Sequence, residues 1–373
     1  MRRKILVGIS LVGVTLSVAI SVSIIIQDNP FGGVNVIKTK ILEQGDNRIH
    51  GFTYYDGYLW ASTRTSPCRI LKIDPDTLNY EKIILSSGLN DGDDIISANG
   101  YVWTILYTSP SKIVKIDPGT LNWEVVITFK SNELKYGGSL EYAFGYLWAG
   151  GHGKLAKINL NDLSYDVYDF SSVIGDAQFH ALSSGGGYMW GSCPSAKRIL
   201  RINPDNPTDY DSLYLSVPMT DDMTYINGYL YIGSEVTPSY VYKISDDLTY
   251  YSVKASDTIC YGIFYHNDTI WGAYVGTPGK LAEFDLNLNL KRLHELPSNF
   301  NNANEIAFDK TGNLYVTCWE KPAKIVKLSV QQINQSSLLY LNTTHREKEV
   351  SAFKAIYAII GLLVTTYLLR REK

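Results

Sequence analysis

A unit of about forty residues recurs seven times along the chain and restricts the folds that it can adopt. Each unit contains a strand like G-Y-L-W that closes on an aromatic residue, and then a strand like R-I-L-K-I-D. The closing aromatics lie 40 to 45 residues apart and are Trp60, Trp103, Trp148, Trp190, Tyr231, Trp271 and Tyr315. Repeats of this length, with several short strands per unit, are typical of propeller blades.

Turn residues complete the pattern of each unit. The first strand ends at turns such as Asp56-Gly57 or Asn99-Gly100, residue types that tolerate the positive φ of a tight hairpin. A turn like D-P-D-T-L then leads to a fourth strand. Four strands in each of seven units predict an all-β fold, a seven-bladed β-propeller over residues 36–330, because ring closure leaves only short sheet edges.

One extra strand and one incomplete unit indicate how the ring closes. Val36–Leu42 is strand-like and has no unit of its own, and the seventh unit lacks an obvious fourth strand after Val330. Leu42 precedes His50 by eight residues, as Leu85 precedes Asp93. The N-terminal strand is therefore predicted to complete the last blade, and the alternative candidate is Ser337–Leu341.

The N-terminus carries a membrane-targeting segment. Met1–Lys4 is cationic, and the 22 residues Ile5–Ile26 are apolar, long enough to span a hydrocarbon layer of about 30 Å. Residues 1–26 are accordingly interpreted as an uncleaved signal anchor or a cleaved signal peptide. Residues 27–35 form a linker.

The C-terminus predicts a second membrane attachment. Residues 331–349 are interpreted as a polar stalk, and residues 350–373 as a transmembrane helix with a basic cytoplasmic tail. The positive-inside rule then places the propeller on the extracytoplasmic side of the cell membrane. Three Asn-x-Ser/Thr sequences are glycosylation candidates on such a surface: Asn267, Asn334 and Asn342.

The charge balance argues against one class of partner. The formal net charge of the chain is −3, yet both tails are basic, so the region between them is clearly acidic. Nucleic-acid binding needs a basic face. We therefore expect no nucleic-acid partner.

The position ten residues before each closing aromatic begins the innermost strand of its blade, so all seven converge on the central channel. These positions hold His50, Asp93, Gly138, His180, Asp221, Tyr261 and Glu305, and the next position adds Asp94 and Asp222. Imidazoles and carboxylates around one axis can bind a cationic ligand or a divalent cation such as Ca²⁺, Mg²⁺ or Zn²⁺. The metal-ligand candidates are His50, Asp93, His180, Asp221 and Glu305. The alternative is that these residues are polar only because they meet channel water.

Loops between the second and third strands should surround this channel mouth. They carry five charged or titratable candidates for a rim: Arg64, Arg69, His152, Glu235 and Glu320. The four cysteines, Cys68, Cys193, Cys260 and Cys318, permit at most one easy disulfide, and buried free thiols are the alternative.

The seventh unit, N-E-I-A-F-D-K-T-G-N-L-Y-V-T, resembles the NHL and streptogramin B lyase group of propellers. The K-I-D-P-x-T-L phrases are similar to YVTN-type surface propellers of archaea and bacteria. This resemblance implies the fold over residues 36–330. Streptogramin-type lyases use His and Glu residues near a metal ion, but that set has no residue-by-residue match here, so the activity is not carried over.

Two main functions remain open from the sequence, and a redox-cofactor carrier is a third candidate. The leading hypothesis is a membrane-anchored extracytoplasmic propeller that acts as a cell-surface binding module for a protein or glycan ligand. The alternative is a metal-dependent lyase or lactonase-like enzyme with its site at the channel mouth. Motifs of common hydrolases and nucleotide-binding enzymes are missing from the sequence.

Overall fold

A computed structural model describes residues 34–330, which form seven four-stranded antiparallel sheets. The first strand, β1, covers Val34–Ile41. Blades 1 to 3 follow as β2 (Ile49–Tyr55), β3 (Tyr58–Thr63), β4 (Arg69–Ile73), β5 (Tyr80–Ile84), β6 (Gly92–Ala98), β7 (Tyr101–Leu106), β8 (Lys112–Ile116), β9 (Trp123–Thr128), β10 (Ser139–Ala143), β11 (Tyr146–Gly150), β12 (Lys154–Ile158) and β13 (Tyr165–Asp169).

A short helix, α1 (Ser171–Ile174), separates blade 3 from blade 4, and a 3-10 turn lies at Pro194–Ala196. Blades 4 to 7 contain β14 (Ala181–Gly185), β15 (Tyr188–Cys193), β16 (Arg198–Ile202), β17 (Tyr210–Tyr214), β18 (Met219–Ile226), β19 (Tyr229–Ser234), β20 (Ser239–Ser245), β21 (Tyr250–Ser256), β22 (Cys260–His266), β23 (Thr269–Tyr274), β24 (Lys280–Phe284), β25 (Leu290–Glu295), β26 (Ala303–Phe308), β27 (Leu314–Cys318) and β28 (Lys324–Val330).

Strand β1 closes the ring, because it pairs with β28 as the outermost strand of blade 7. The Leu42 N–H donates to the Ala323 carbonyl at 3.0 Å, so the end of β1 lies beside the start of β28. The prediction that the N-terminal strand completes the last blade is confirmed, and the other candidate, Ser337–Leu341, lies outside the described residues. Val34 and Val330 consequently lie at the same end of blade 7.

The innermost strands of neighbouring blades contact one another around the ring, including β2 with β26. We call the face where these strands begin the mouth face. The opposite face, where they end in hairpins, is the turn face. Third strands run toward the turn face, so the described chain both starts, at Val34, and ends, at Val330, on that face.

The repeated aromatic residues pack between blades. All seven are at most 2% exposed. Trp148 of blade 3, for example, packs in one cluster with Phe179 and Leu182 at the start of blade 4. Its indole N–H donates to the Ala143 carbonyl at 3.1 Å, which satisfies the buried nitrogen.

A cation on the third strand lies opposite the aromatic in six of the seven blades, and in four of them it binds a turn carbonyl of the next blade. Lys157, the register partner of Trp148, donates from Nζ to the Pro204 carbonyl in the turn of blade 4 at 2.7 Å. The same bond to the following blade joins Lys72 to Pro118, Arg201 to Asp246 and Lys243 to Leu286. These bonds fasten the outer part of one blade to its neighbour.

Blade 6 departs from this pattern at the closing junction. Glu283 stands opposite Trp271, where other blades have Lys or Arg, and it accepts a hydrogen bond from His294 Nε2 at 2.5 Å. Blade 7 has no continuous turn between its third and fourth strands, because they come from opposite ends of the propeller sequence. A cation at position 283 would therefore lack the turn carbonyl that it binds elsewhere.

The remaining predictions divide at the limits of the described chain. Within residues 34–330, no helix is long and apolar enough to cross a membrane. The two predicted spans, the stalk, Asn334 and Asn342 lie outside the described residues. Asn267 is exposed at the hairpin between β22 and β23.

All four cysteines are buried free thiols, which resolves the alternative left by the sequence.

Candidate functional site: the channel mouth

Bulges at the start of the inner strands position the polar residues of the mouth. Register shifts break the pairing there in blades 1, 2, 5, 6 and 7. The shift in blade 2 spans Asp93 and Asp94, and that in blade 5 spans Asp221 and Asp222. Consecutive residues of a regular strand point to opposite faces, whereas a bulge re-aims one of them.

Six of the eight predicted ligand-binding residues line one small cavity of about 30 Å³. They are His50, Asp94, His180, Asp221, Asp222 and Glu305, with Gly138, Ala181 and Leu182 completing the wall. Asp93 lies behind this wall and is fully buried, while Tyr261 is half-buried and outside the lining. The cavity has room for about one or two water molecules. It is therefore too small for a sugar or a drug-sized molecule.

Asp93 organises one side of the mouth. Its carboxylate accepts two hydrogen bonds from Arg64 Nη2, at 2.9 and 2.8 Å, and lies 2.6 Å from His50 Nδ1. Burial would raise the pKa of Asp93, but the attraction of His50 and Arg64 lowers it to about 2. The carboxylate stays charged and fixes the position of both side chains.

Asp221 pairs with the second histidine. The Nδ1 atom of His180 is hydrogen-bonded to Oδ1 of Asp221, and His50 Nε2 lies 3.8 Å from Oδ2 of the same carboxylate. Burial opposes the charged form of His180, yet this hydrogen bond and the charge of Asp221 raise its pKa. The two His–Asp pairs thus hold both imidazoles in defined orientations.

Asp222 and Glu305 form a carboxyl–carboxyl pair. Glu305 is buried, Asp222 is half-buried, and both line the same small cavity. Burial raises the pKa of each, and the negative charge of Asp222 raises that of Glu305 further. Two neighbouring acids with raised pKa values resist ionising together, so the pair favours a protonated form near neutral pH.

Two further acids lie deeper along the channel wall. Burial raises the pKa of Asp94 to about 6, although its carboxylate accepts backbone N–H bonds from Leu140 and Ile95, each at 2.7 Å. Burial likewise raises the pKa of Glu141 to about 7, although Ser184 Oγ donates to it at 2.7 Å. The channel therefore contains more carboxyl groups than cations.

Aromatic rings and arginines surround the opening above this floor. Trp319 meets His50 edge-on, with 5.2 Å between ring centroids, and the Arg48 guanidinium lies 5.4 Å above Trp319. Arg64 lies 4.8 Å from the Tyr107 ring centroid, and Tyr107 packs on Tyr136 at 5.2 Å. These rings form an amphipathic rim on the side of blades 7, 1 and 2.

The five predicted rim residues separate into two groups. Arg64 reaches the mouth through Asp93, and the charge of Asp221 together with burial raises the pKa of Glu235. Three bind elsewhere: Arg69 to Asp46, His152 beside Asp176 and Glu320 with Asn301 and Lys324.

Sequence reasoning missed Glu141 and Gln178. Glu141 lies three residues beyond the aligned position of blade 3, which is Gly138. A side chain at Gly138 would collide with the Gln178 amide, so Gln178 occupies the space that the glycine leaves open. Gln178 is 5% exposed and follows α1, an insertion outside the repeat. The glycine at position 138, where other blades have a larger residue, was the only sequence signal for Gln178.

The donor arrangement does not form a recognisable metal centre. Within the described residues, no three His, Cys, Asp or Glu side chains are grouped as ligands for one ion. Asp93 and Asp221 instead bind Arg64 and His180. The divalent cation at this mouth stays a prediction.

Comparisons with known proteins support the fold and the surface location. Residues 353–372 match the PGF-CTERM motif, a C-terminal surface-anchoring signal that supports attachment to the cell envelope. A streptogramin B lyase structure aligns with a TM-score of 0.67 and 15% identity, covering 80% of this chain and 98% of that one. No curated protein sequence matches the chain.

Two other solved structures show the same architecture. A catalytically inactive histidine-to-alanine variant of virginiamycin B lyase from Staphylococcus aureus, with quinupristin, aligns with a TM-score of 0.66 and 16% identity, covering 80% of this chain and 100% of that one. The WD40 propeller of Doa1 aligns with a TM-score of 0.61 and 13% identity, covering 81% and 98%. At these identities the likeness establishes the propeller fold alone.

Proposed function

We propose that this protein is an envelope-anchored binding module whose channel mouth accepts a protonated amine presented by its ligand. The carrying observation is the surplus of buried carboxyl groups around a cavity of about 30 Å³. An ammonium group is about the size of a water molecule, so it fits where a ring does not. An ammonium also supplies the positive charge that the carboxyl groups of the mouth lack.

The Asp222–Glu305 pair is the proposed acceptor. Burial raises the pKa values of both carboxyl groups, so at least one of them carries a proton before an amine enters. An entering ammonium would replace that proton and donate hydrogen bonds to both groups. Asp93 is not available for this role, because Arg64 and His50 already occupy it.

The rim would hold the body of the ligand. Trp319 and Tyr107 offer partly exposed ring faces beside Arg48 and Arg64. Such rings contact the aliphatic stem of lysine or the apolar face of an amino sugar. A lysine of a protein and an amine of a glycan share this chemistry, which is consistent with a protein or glycan ligand.

The anchoring motif lies beyond the second end of the described chain. Val34 and Val330 both lie on the turn face, opposite the mouth. The PGF-CTERM match at residues 353–372 follows the second of these ends in the sequence. This match supports the envelope attachment that the proposal includes.

Calorimetric titration of the full chain in detergent tests the amine. The probes are the end-blocked peptide Gly-Lys-Gly, its acetyl-lysine counterpart, glucosamine and N-acetylglucosamine. Lysine or glucosamine should bind, and both acetylated probes should lose at least tenfold in affinity. Binding of the lysine peptide would identify a protein ligand, and binding of glucosamine would identify a glycan ligand.

Two variants locate the binding. Glu305→Gln should abolish binding, whereas the matched Glu124→Gln, at an exposed position in β9, should leave it unchanged. Equal affinity for acetylated and free amines, or binding by neither, would refute the proposal.

The His–Asp pairs favour a second candidate, an elimination enzyme that uses a histidine base. His180 is oriented by Asp221 through Nδ1, as a general base requires. Incubation with quinupristin, followed by chromatography, tests lyase activity, with His180→Ala and added Ca²⁺, Mg²⁺ or Zn²⁺ as comparisons. Turnover that His180→Ala abolishes would favour the enzyme over the binding module.

A further inference from the structure

At four junctions on the mouth face, a residue with a positive φ connects the loops of neighbouring blades. Its N–H donates to a loop carbonyl of the preceding blade, as Arg48 does to Glu320 at 3.0 Å. The four residues have φ between 49° and 53° and are Asn302, Arg48, Asp91 and Tyr136. Asparagine and aspartate tolerate such a φ, whereas a longer side chain adopts it at a cost. The fold therefore needs this backbone conformation at position 48, but it does not need an arginine there.

The guanidinium of Arg48 differs from those of the other arginines in residues 34–330. The other five each have a hydrogen bond or an ion pair to a protein group, and they are Arg64, Arg69, Arg198, Arg201 and Arg292. Arg48 has neither within the same residues, although it is half-buried and lies 5.4 Å above Trp319. Its N–H donors are therefore free to bind water or a ligand. Unfavourable backbone conformations of this kind cluster at ligand-binding positions.

The acids nearest to Arg48 in the fold are already bound by other side chains. Asp46 accepts hydrogen bonds from three side chains of blade 1. The Glu320 carboxylate accepts from two side chains of blade 7, and Asp93 is held by Arg64 and His50. None of these three carboxylates pairs with Arg48, so this arginine stands at the rim of the mouth without a counterion from them.

Tyr261 adds a second donor without a partner on this side of the mouth. Its hydroxyl has no hydrogen bond within residues 34–330. Burial raises the pKa of Tyr261, and the positive charge of Arg48 acts in the opposite direction. The nearby acid Glu235 also acts on Tyr261, but burial raises the pKa of Glu235 itself to about 7. At pH 6 Glu235 is therefore mostly neutral and does not repel an anion.

We propose that the ligand of the mouth carries a carboxylate beside its amine and that Arg48 binds this carboxylate. This inference deepens the proposed function and rests on it. A guanidinium binds a carboxylate through two parallel N–H···O bonds, which fixes both its position and its orientation.

The geometry of the rim suits a ligand with two separated charges. Trp319 lies between the two sites, 5.4 Å from the Arg48 guanidinium and 5.2 Å from the ring of His50 in the cavity wall. A chain of a few methylene groups can therefore cross Trp319 and place an ammonium in the cavity and a carboxylate on Arg48. A lysine at the end of a peptide and an amino sugar with an acid group share this chemistry.

Calorimetric titration of the full chain in detergent at pH 6 tests the carboxylate. The probes are 6-aminohexanoate, which carries both charges, hexylamine, which carries only the amine, and hexanoate, which carries only the carboxylate. We expect 6-aminohexanoate to bind at least tenfold more tightly than hexylamine. Equal affinities for these two probes would overturn the inference and leave the proposed amine site standing.

Three variants test whether Arg48 is the acceptor. Arg48→Met should lower the ratio of the two affinities to about one. Arg48→Asn should do the same, and it introduces a residue type that tolerates this φ, so it guards against a folding defect in the first variant. Arg198→Met is the matched control, because Arg198 also lies beside a ring, 5.7 Å from that of Tyr214, but starts the third strand of blade 4, away from the channel. A tenfold preference that persists in both Arg48 variants, or that Arg198→Met also removes, would overturn the inference.

Two further pairs of probes distinguish the sources of the carboxylate. Acetyl-Gly-Gly-Lys with a free carboxylate is compared with its amide, and muramic acid, an amino sugar with an acid group, is compared with glucosamine. A gain within the first pair assigns a peptide end, and a gain within the second pair assigns a glycan. No gain within either pair would overturn the carboxylate as part of the ligand.

Hexanoate separates the failure of this inference from the failure of the proposed function. If hexanoate binds through Arg48 and hexylamine does not bind, the amine site fails and the carboxylate site stands. If hexylamine binds and the carboxylate adds nothing, the carboxylate site alone fails. If no probe binds, both fail.

Discussion

Two positions that each recur once per blade behave in opposite ways. The position between blades keeps one chemistry, an aromatic such as Trp148 opposite a cation such as Lys157, in six of seven blades. The position at the mouth changes from blade to blade, from His50 to Asp93 to Gly138. The first makes the same bond to a turn carbonyl of the next blade in blades 1, 3, 4 and 5. The second contributes a different group to a single shared cavity.

The exception at blade 6 sharpens this contrast. Glu283 replaces the cation at the one junction where the following blade has no continuous turn. A repeated residue is therefore retained where its partner recurs, and it changes where that partner is missing. The residues at the mouth do not contact a group that recurs in every blade. Their identities therefore depend on the ligand that they bind together.

Truncating an interblade aromatic should have the largest effect. Trp148→Ala removes a fully buried side chain and leaves a cavity, with an expected loss of about 3–5 kcal/mol in the free energy of unfolding. Glu305→Gln at the mouth should change it by less than about 1 kcal/mol at neutral pH. Urea unfolding of both variants measures this, and similar losses would erase the distinction between the two positions.

Breaking the ion pair between Asp93 and Arg64 should have the second largest effect on stability. Asp93→Asn leaves Arg64 and His50 without their buried partner, for an expected loss of about 3 kcal/mol. The double variant Asp93→Asn/Arg64→Met should recover part of that loss. Additive losses in this double-mutant cycle would show that the two residues are not coupled.

The pH dependence should separate the acids of the mouth. The folded-state pKa values of Asp94 and Glu141 are about 6 and about 7, above unfolded values of about 4. Their stabilisation is complete below pH 4 and is lost as the pH rises through 6 and 7, on the order of 2 kcal/mol. Asp93 has the opposite sign, and its contribution disappears as the pH falls from 4 toward 2.

Thermal melting between pH 2 and 8 measures this profile. Its maximum should lie near pH 4 to 5, and Glu141→Gln should flatten the decline above it. Stability that rises steadily from pH 5 to 8 would contradict the raised pKa values.

Removing one interblade cation should have the smallest effect. Lys157→Met deletes the bond to the Pro204 carbonyl and the contact over the Tyr146 ring, at about 1 kcal/mol. Lys115→Met is the matched control. Lys115 also lies over a tyrosine ring, that of Tyr101, but its contact with a charged group is only to Glu124 at 3.8 Å, and it has no bond to a turn carbonyl within the described residues. Equal losses in urea unfolding would mean that the carbonyl bond adds nothing.

The sequence predicted the fold because every repeat contains the same local patterns. Alternation, hairpin residues and the aromatic period are local patterns, and the register of Leu42 was enough to place β1 in blade 7. The mouth was located by the same alignment. Which groups pair there could not be read, because bulges at Asp93 and Asp221 redirect side chains and neither Arg64 nor Gln178 belongs to the repeat. The protonation of Glu305 depends on its burial, and the burial of a side chain cannot be derived from the sequence alone.

Proton release on binding tests the central claim most directly. Titration of the lysine peptide at pH 6 in two buffers of different ionisation enthalpy counts the protons displaced from the Asp222–Glu305 pair. We predict that close to one proton leaves for each amine bound, and that Glu305→Gln abolishes both the binding and the release. Binding of the amine without any proton release would contradict the account.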